Sequence, residues 1–277
     1  MKISIITVNF NNKIGLKKTI DSIQFQTDQN FEFIIIDGDS NDGSKDLLKK
    51  IVFERKEIVS EPDKGIFNAM NKGVQLAHGE YILFLNSGDA LADKDVIHNI
   101  NQCNLLNKNI DIITGDTICE KNNKFEHLWP APDFISINTF YSGSLCHQST
   151  FIRRQLLIKY PYIESNRFCS DRQHFLNIFI NGATYKSYHC NISRFDCSGI
   201  SSSKNHEQEK QEEVRKNIEE TLPTVFLSDY DFYIGQRTEL EKWVAQRRNN
   251  IMVRFFSSLI RVTIKISSII SKKLKRQ

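Results

Sequence analysis

Acidic and amide side chains follow four apolar segments in the first ninety residues of the chain. Asn9 follows a β-branched run, Asp37 follows FIII, Asp63 follows EIVSEP, and Asn86 and Asp89 follow YILFL. Runs that end this way are typical of strands in a parallel sheet, whose carboxyl ends bind ligands. Carboxylates and amides at that edge can hydrogen-bond a base or hold Mg²⁺ or Mn²⁺. Taken singly, each residue is also explained as a turn former or helix cap.

The segment NSGD, residues 86–89, contains the residues best suited to bind a ligand or a metal ion. Gly88 allows the backbone to come close to a bulky ligand such as a diphosphate, and Asp89 offers a hard oxygen to a divalent cation. The alternative is a turn followed by a helix N-cap.

The elements that position these residues alternate between strand and helix. The apolar spacing predicts strands over 3–8, 33–36, 57–60 and 81–85, and helices over 16–25, 45–53 and 65–77. Right-handed crossovers turn such a chain into a three-layer α/β/α sandwich with a mostly parallel, Rossmann-like sheet. No GxGxxG or P-loop motif occurs, which argues against the common NAD and ATP sites.

Composition limits the function classes. The 277 residues suffice for one α/β core and a smaller appendage, and the net charge of +4 is too small to indicate nucleic acid binding. The six cysteines form no CxxC pair and MKISIITVNF has a strand pattern, which indicates a reducing cytosol. A zinc site built from cysteines with His147 or His189 has no support in the spacing.

The second half contains two further candidates. Residues 111–117 and 147–152 read as strands, so His147 opens one, and residues 166–182 hold a helix that begins near Asp171. From the residues alone, His147 can be a histidine packed at the edge of the core, and Asp171 can be a helix cap. Residues 192–203 read as a flexible loop that closes over a ligand, or as a surface linker.

Four motifs carry a family resemblance: TVNFN (7–11), IIIDGDSNDGS (34–44), EPDKGIFNAMNKG (61–73) and YILFLNSGD (81–89). In order and spacing they resemble family-2 glycosyltransferases of the GT-A fold, over roughly residues 1–200. The chain is most similar to bacterial transferases for exopolysaccharide, colanic acid, amylovoran, capsule or O-antigen.

The resemblance implies roles for individual residues. It implies a nucleotide loop with Thr7, Asn9 and Phe10, base binding by Asp37, a donor loop with Asp63 and Lys64, a donor segment of Asn86, Ser87 and Gly88, a metal ligand at Asp89, and a catalytic base at Asp171 near His147. Asn71, further along the helix after Lys64, is a candidate for reaching a phosphate or sugar. The family often has acids where Asn86 and Gly88 stand, so a Mg²⁺ or Mn²⁺ ion here would depend more on the donor's phosphates.

The implied reaction is inverting transfer of a sugar from a nucleoside-diphosphate sugar to a glycan or lipid-linked acceptor. Two alternatives remain open. A non-catalytic nucleotide-sugar-binding protein or membrane-surface scaffold would not need both Asp89 and Asp171. A sugar nucleotidyltransferase should show a glycine-rich, basic first loop, which VNFNNKIG lacks.

The tail differs in character from the rest. We expect a catalytic domain over 1–203, a helical extension over 204–249, with helices up to Glu220 and from Asp231 to Arg248 separated by Pro223, and a basic amphipathic helix over 250–277. Charges at Arg254, Arg261 and Lys265 favour a helix lying on an anionic membrane over a spanning one, which predicts a cytoplasmic enzyme peripheral to the inner face of the cell membrane. The alternative is a helix that packs on the protein's own core or in a homodimer.

Overall fold

The computed structural model describes residues 2–121, 124–197 and 206–247, with side chains as far as residue 239. In chain order the elements are β1 (Ile3–Asn9), α1 (Lys13–Gln24), β2 (Glu32–Asp37), α2 (Ser44–Leu48), β3 (Lys56–Ser60), α3 (Ile66–Leu76), β4 (Tyr81–Phe84), β5 (Ala90–Leu91), α4 (Val96–Gln102), β6 (Ile112–Lys121), β7 (Lys124–Trp129), α5 (Ile137–Ser142), β8 (Thr150–Arg153), α6 (Arg154–Lys159), α7 (Ser170–Ile180), β9 (Tyr185–Asp196), α8 (Glu207–Thr221) and α9 (Thr224–Arg247). Single 3₁₀ turns lie at Leu105–Asn107 and His147–Ser149.

The first four strands form the predicted parallel sheet, in the order β3-β2-β1-β4. Strands β1, β2 and β4 are buried along their whole length, whereas the edge strand β3 is half exposed. The helix predicted over 45–53 ends at Leu48. Ile51 and Phe53 still pack on the core without helical structure, which explains the misleading apolar spacing.

Beyond β4 the sheet is mixed, unlike the mostly parallel sheet expected. β8 is antiparallel to β4 and to β6, and β5 is antiparallel to β9. β9 runs parallel to β6, with Ile118 opposite Arg194. The loop predicted over 192–203 was therefore wrong for residues 192–196, which are strand, and residues 198–203 lie outside the described part.

This topology brings distant residues to one edge of the sheet. β8 runs antiparallel to β4, so the turn His147–Ser149 that precedes β8 lies beside the exit of β4. His147 was expected to open the strand, but it belongs to the turn that precedes the strand. The exits of β1, β2 and β4 and the entry of β8 thus share one edge.

The chain divides into two compact units, Met1–Thr221 and Leu222–Gln277. α8 belongs to the first unit because Asn217 accepts a hydrogen bond from Asn166, and the Glu213 carboxylate accepts one from the backbone of Cys169. The division into units thus falls after α8. In the second unit, α9 begins directly after Pro223, earlier than the expected Asp231.

The membrane-binding helix predicted over 250–277 lies outside the described residues. Of the helices that are described, none is long and apolar enough to cross a membrane. All six cysteines are free.

Candidate active site

His147 connects the segment after β4 to the first turn of α7. Its Nδ1 lies 3.1 Å from Oδ2 of Asp171, and its Nε2 lies 3.3 Å from the amide nitrogen of Asn86. The amide donates to Nε2, which leaves the ring proton on Nδ1, directed at the carboxylate. The His147 and Asp171 side chains are 13% and 20% exposed, so the pair is shielded but reachable from solvent.

Asp89 lies in the same segment and is nearly enclosed, with 4% of its surface exposed. Oδ1 accepts a hydrogen bond of 3.1 Å from the backbone N–H of Asp196, at the end of β9. Burial raises the pKa of Asp89 from 3.8 to about 6, against the opposing effects of the Asp196 N–H, His147, Gln148 and Lys18. A carboxylate in this state gains from any cation brought beside it.

Thr19, a buried residue of α1, fixes the backbone of this segment. Its hydroxyl donates to the carbonyl oxygen of Asp89 at 2.6 Å and accepts from the N–H of Gly88 at 3.1 Å. Sequence reasoning missed Thr19, because a threonine within an amphipathic helix gives no sign of a partner 70 residues away.

Position 88 requires glycine because its φ is +110°, in the left-handed region that disfavours side chains.

Asn12 is the N-cap of α1, and its side-chain oxygen accepts a hydrogen bond from the N–H of Gly15. Its amide nitrogen donates a hydrogen bond of 3.0 Å to the carbonyl oxygen of Ser87. This contact holds the loop after β1 and the segment after β4 together.

Asp37, at the exit of β2, is completely buried. Its carboxylate accepts hydrogen bonds from the side chains of Asn9, Ser40 and Ser60, at 2.7, 2.6 and 2.7 Å, and from the backbone of Ser40 at 3.0 Å. Burial alone would raise the pKa of Asp37, but these donors outweigh it and lower the pKa. The carboxylate is thus occupied in holding the loops after β1, β2 and β3, which favours a positioning role over direct contact with a base.

Two groups beside Asp37, a side-chain oxygen and an aromatic ring, lack a partner within the described residues that would exclude a ligand. Oδ1 of Asn9 is buried without a hydrogen-bond partner among the residues the structure describes. The Phe10 ring, 66% exposed, follows at the end of β1. An acceptor next to an exposed aromatic face can take the N–H edge and the face of a heterocyclic base.

Gly38 is contacted closely by two of the predicted donor-site residues. A Cβ on Gly38 would lie 2.5 Å from Oδ2 of Asp63 and 3.1 Å from the ring of Phe10. Asp63 is held by the N–H of Gly65 at 2.8 Å, and the exposed Lys64 follows it. The absence of a side chain at Gly38 therefore lets Phe10 and Asp63 face each other across the exit of β2.

Two residues expected at the donor site contact other parts of the protein. Thr7 lies inside β1 and not in the following loop, and its buried hydroxyl donates to the carbonyl oxygen of Leu85 at 2.8 Å. The Asn71 amide accepts from the backbone N–H of Tyr162 at 3.0 Å and donates to the C=O of Tyr162 at 2.9 Å, and its contact with a phosphate or sugar stays a prediction. The amide also donates to the Glu164 carboxylate at 3.1 Å, so Asn71 fixes the segment after α6.

The oxygen atoms of the segment around Asp89 are suitable ligands for a hard divalent cation. Oδ1 of Asn86 is buried and has no hydrogen-bond partner in the described ranges, so the amide presents a free carbonyl oxygen beside the Asp89 segment. No group of three His, Cys, Asp or Glu side chains within those ranges could hold a metal ion. Most ligands of such an ion would therefore be phosphate oxygens and water, as Mg²⁺ sites commonly have.

The parallel β1–β4 sheet, continued by β8, β6 and β9, has the GT-A architecture. Residues 4–160 match the family described as Glycosyl transferase family 2, and the chain belongs to that family. It is a glycosyltransferase, which sets aside the nucleotidyltransferase and the non-catalytic alternatives.

Similar proteins agree with this assignment. A PGL/p-HBAD biosynthesis glycosyltransferase of Mycobacterium bovis is 31% identical over 189 residues, covering 67% of this chain and 72% of the relative. TarS 1-349 of S. aureus, in complex with UDP-GlcNAc, has a TM-score of 0.62 at 16% identity, covering 83% of this chain and 70% of that one. The mannosyltransferase PcManGT of Pyrobaculum calidifontis, in complex with GDP-Man and Mn2+, has a TM-score of 0.61 at 12% identity, covering 96% and 80%. The predicted GT-A fold is confirmed.

Proposed function

We propose that this protein is an inverting glycosyltransferase that moves a sugar from a nucleoside-diphosphate sugar to a hydroxyl group of a glycan acceptor in bacterial surface polysaccharide synthesis. The observation that carries the proposal is the hydrogen-bonded series Asn86–His147–Asp171, which joins the donor segment to an acid placed at a helix start. The names of the mycobacterial relative and of the UDP-GlcNAc complex support the substrate class.

The donor would lie along the exits of β1, β2 and β4. The Phe10 ring and the unpaired Oδ1 of Asn9 suit a base, and the backbone at Ser87 and Gly88 suits the diphosphate. Asp37 would act through Asn9, Ser40 and Ser60, whose positions it fixes.

Asp171 would take the proton of the acceptor hydroxyl as that oxygen attacks the anomeric carbon. The bond from this carbon to the diphosphate breaks, and its electron pair leaves with the diphosphate. Attack from the side opposite the leaving group inverts the anomeric centre. His147 donates to Oδ2 of Asp171 from Nδ1, and the backbone N–H of Arg172 donates to Oδ1 at 2.8 Å, so the two contacts together fix the orientation of the carboxylate.

Asp89 and Oδ1 of Asn86 would hold Mg²⁺ or Mn²⁺. When bound, the ion supplies counter-charge for the departing diphosphate. Enclosure of Asp89 prepares the site, because a carboxylate already removed from water binds a cation with little further desolvation.

A lipid-linked acceptor would suit a protein held at the cytoplasmic face of the membrane. The sequence of residues 250–277 supports this, since it combines apolar residues with the basic cluster KKLKR. Co-sedimentation with anionic liposomes, which should be lost on deletion of residues 250–277, tests it. Retained binding after the deletion would contradict it, and a loss of self-association would support the homodimer alternative.

The stereochemistry of the product tests the proposed reaction. Incubation with a panel of α-linked nucleotide sugars, Mn²⁺ and simple alkyl glycosides should yield a β-linked product in the proton NMR spectrum. An α-linked product would show retention and would contradict single displacement with Asp171 as base.

A further inference from the structure

A cavity of about 300 Å³ lies outside the residues assigned above, between β6, the segment that follows β7, and α5. Its volume is at the lower end of the range of about 300 to 1,000 Å³ that is usual for small-molecule sites. Residues that line it and bear on the argument are Thr114, Trp129, Pro130, Pro132, Ser144 and Cys146.

The cavity adjoins the turn that begins at His147, on the side away from the donor loops. Sheet order runs β1-β4-β8-β6, so His147, before β8, separates the donor loops of β1 and β4 from the cavity beside β6. Cys146 lines the cavity and is the neighbour of His147 in sequence. The Arg172 guanidinium donates to the carbonyl oxygen of Phe140 in α5, which ties this wall to the residue after Asp171.

The cavity is lined by an aromatic ring and by a residue whose hydroxyl group has no hydrogen-bond partner among the described residues. Trp129 is 41% exposed at the end of β7 and is followed directly by Pro130. Oγ of Ser144 is buried and has no hydrogen-bond partner within the described residues. A buried hydroxyl without a partner calls for an explanation, and a ligand that donates to it or accepts from it provides one.

We propose that this cavity binds a pyranose ring of the acceptor glycan, with the C–H face of the sugar on Trp129 and a sugar hydroxyl on Oγ of Ser144. A pyranose has both features at once, since one face carries C–H groups and the rim carries hydroxyls. An alkyl or isoprenoid chain would use the indole and the prolines but would leave Ser144 unpaired. The identification of the sugar as the acceptor rests on the proposed function, whereas sugar binding itself does not.

Binding can be measured without any turnover. The chain has two tryptophans, so the variant Trp243→Phe leaves Trp129 as the only indole reporter. Titration with methyl glycosides of glucose, galactose, N-acetylglucosamine, mannose and rhamnose should change its fluorescence saturably for at least one sugar. Ser144→Ala in that background should weaken the response several-fold, and octanol should give none. The proposal is overturned if no glycoside produces a response, or if octanol alone does.

Transfer kinetics test whether the bound sugar is the acceptor. With octyl glycosides as acceptors, Trp129→Ala should raise the acceptor KM roughly fivefold to tenfold, the loss expected for one aromatic contact. Trp129→Phe should recover most of the affinity. Leu128→Ala is the matched control, because Leu128 is equally exposed, at 40%, but does not line the cavity.

The outcomes separate this proposal from the proposed function. An unchanged acceptor KM in Trp129→Ala, with glycoside binding intact, would overturn the acceptor assignment. Wild-type protein that releases no nucleotide from any donor would contradict the proposed function instead, while the fluorescence titration would still decide whether the cavity binds a sugar.

Discussion

Nδ1 of His147 lies 3.1 Å from Oδ2 of Asp171, across 24 residues of sequence. The other ring nitrogen contacts Asn86, so a single imidazole fixes the distance between the donor segment and the carboxylate. In a displacement reaction the base and the leaving group must lie on opposite sides of one carbon atom. Errors in their separation therefore reduce the rate directly.

Asp171→Asn should reduce turnover by a factor of about 10² to 10⁴, because the amide cannot accept the acceptor's proton. Donor affinity, measured by calorimetry with an intact nucleotide sugar, should change little. A large loss of donor affinity with normal turnover would reassign Asp171 to donor binding.

His147→Ala should lower turnover roughly tenfold to a hundredfold, since Asp171 loses its hydrogen-bond donor and its fixed orientation. The effect should be nearly absent when Asn already replaces Asp171, because residues that act as a unit are not additive. Full additivity in the kinetics of the double variant would show that His147 acts independently of Asp171.

Asp89 should make the fold less stable as the pH rises. Its pKa is about 6 in the folded protein, from an ordinary value of 3.8, so the folded state binds the proton more tightly than the unfolded state. The free energy of unfolding should therefore fall between about pH 4 and 6, by on the order of 3 kcal/mol, as the buried carboxylate ionises. Asp89→Asn should remove this slope, which denaturant titrations without metal at several pH values will show.

The variant Asp89→Asn also tests whether Asp89 binds the metal ion. At pH 7, Mn²⁺ should raise the Tm of the wild-type protein, because the ion binds the folded state, and should leave the Tm of Asp89→Asn unchanged. An equal rise in both proteins would place the ion elsewhere.

Asp37→Asn should lower the free energy of unfolding at pH 7 by about 1.5 to 3 kcal/mol, the usual worth of hydrogen bonds to a charged group. The pKa of Asp37 is lowered in the folded protein, so this stabilisation is present above the ordinary pKa of 3.8 and is lost as the pH falls through the lower, folded-state value. Unchanged stability combined with weak nucleotide binding would instead support direct contact between Asp37 and the base.

Gly38→Ala should weaken donor binding more than it weakens the fold. The new methyl group would meet Asp63 at 2.5 Å and Phe10 at 3.1 Å, and both side chains can move away on the surface. We expect a several-fold higher Kd for the nucleotide diphosphate with a nearly unchanged Tm. Gly182→Ala is a control for the loss of a glycine, because no atom lies within 4 Å of its Cβ position, although its φ of +86° adds some strain.

Sequence reasoning succeeded where the signal was local. The buried strands β1, β2 and β4 are continuous apolar runs, and the polar residues at their exits follow from the right-handed βα topology. It failed where tertiary pairing decides the structure. β9 was read in part as a loop because NISRFD has no clean alternation, yet both of its edges pair within the sheet.

The site residues show the same difference between features that local sequence predicts and features that depend on tertiary contacts. Asp89, Asp171 and His147 were each predicted near the active site, but their contacts depend on the reversal of β8 beside β4, which no local pattern encodes. Thr19 and the N–H of Asp196 were missed because their contacts to the Asp89 segment span 70 and 107 residues. The contacts of Asn71 with Tyr162 were also missed, because a polar residue on a helix does not reveal whether its partner is a ligand or a neighbouring backbone.

The most direct test of the account is nucleotide release from a panel of UDP-, GDP- and dTDP-sugars in the presence of Mn²⁺, measured in parallel for the wild-type protein, Asp171→Asn and Asp89→Asn. The account predicts that the wild-type protein releases the diphosphate from at least one donor. For that donor, Asp171→Asn should bind normally but release at least a hundredfold more slowly, and Asp89→Asn should lose Mn²⁺-dependent binding. Wild-type rates in either variant, or no release by the wild-type protein from any donor, would contradict it.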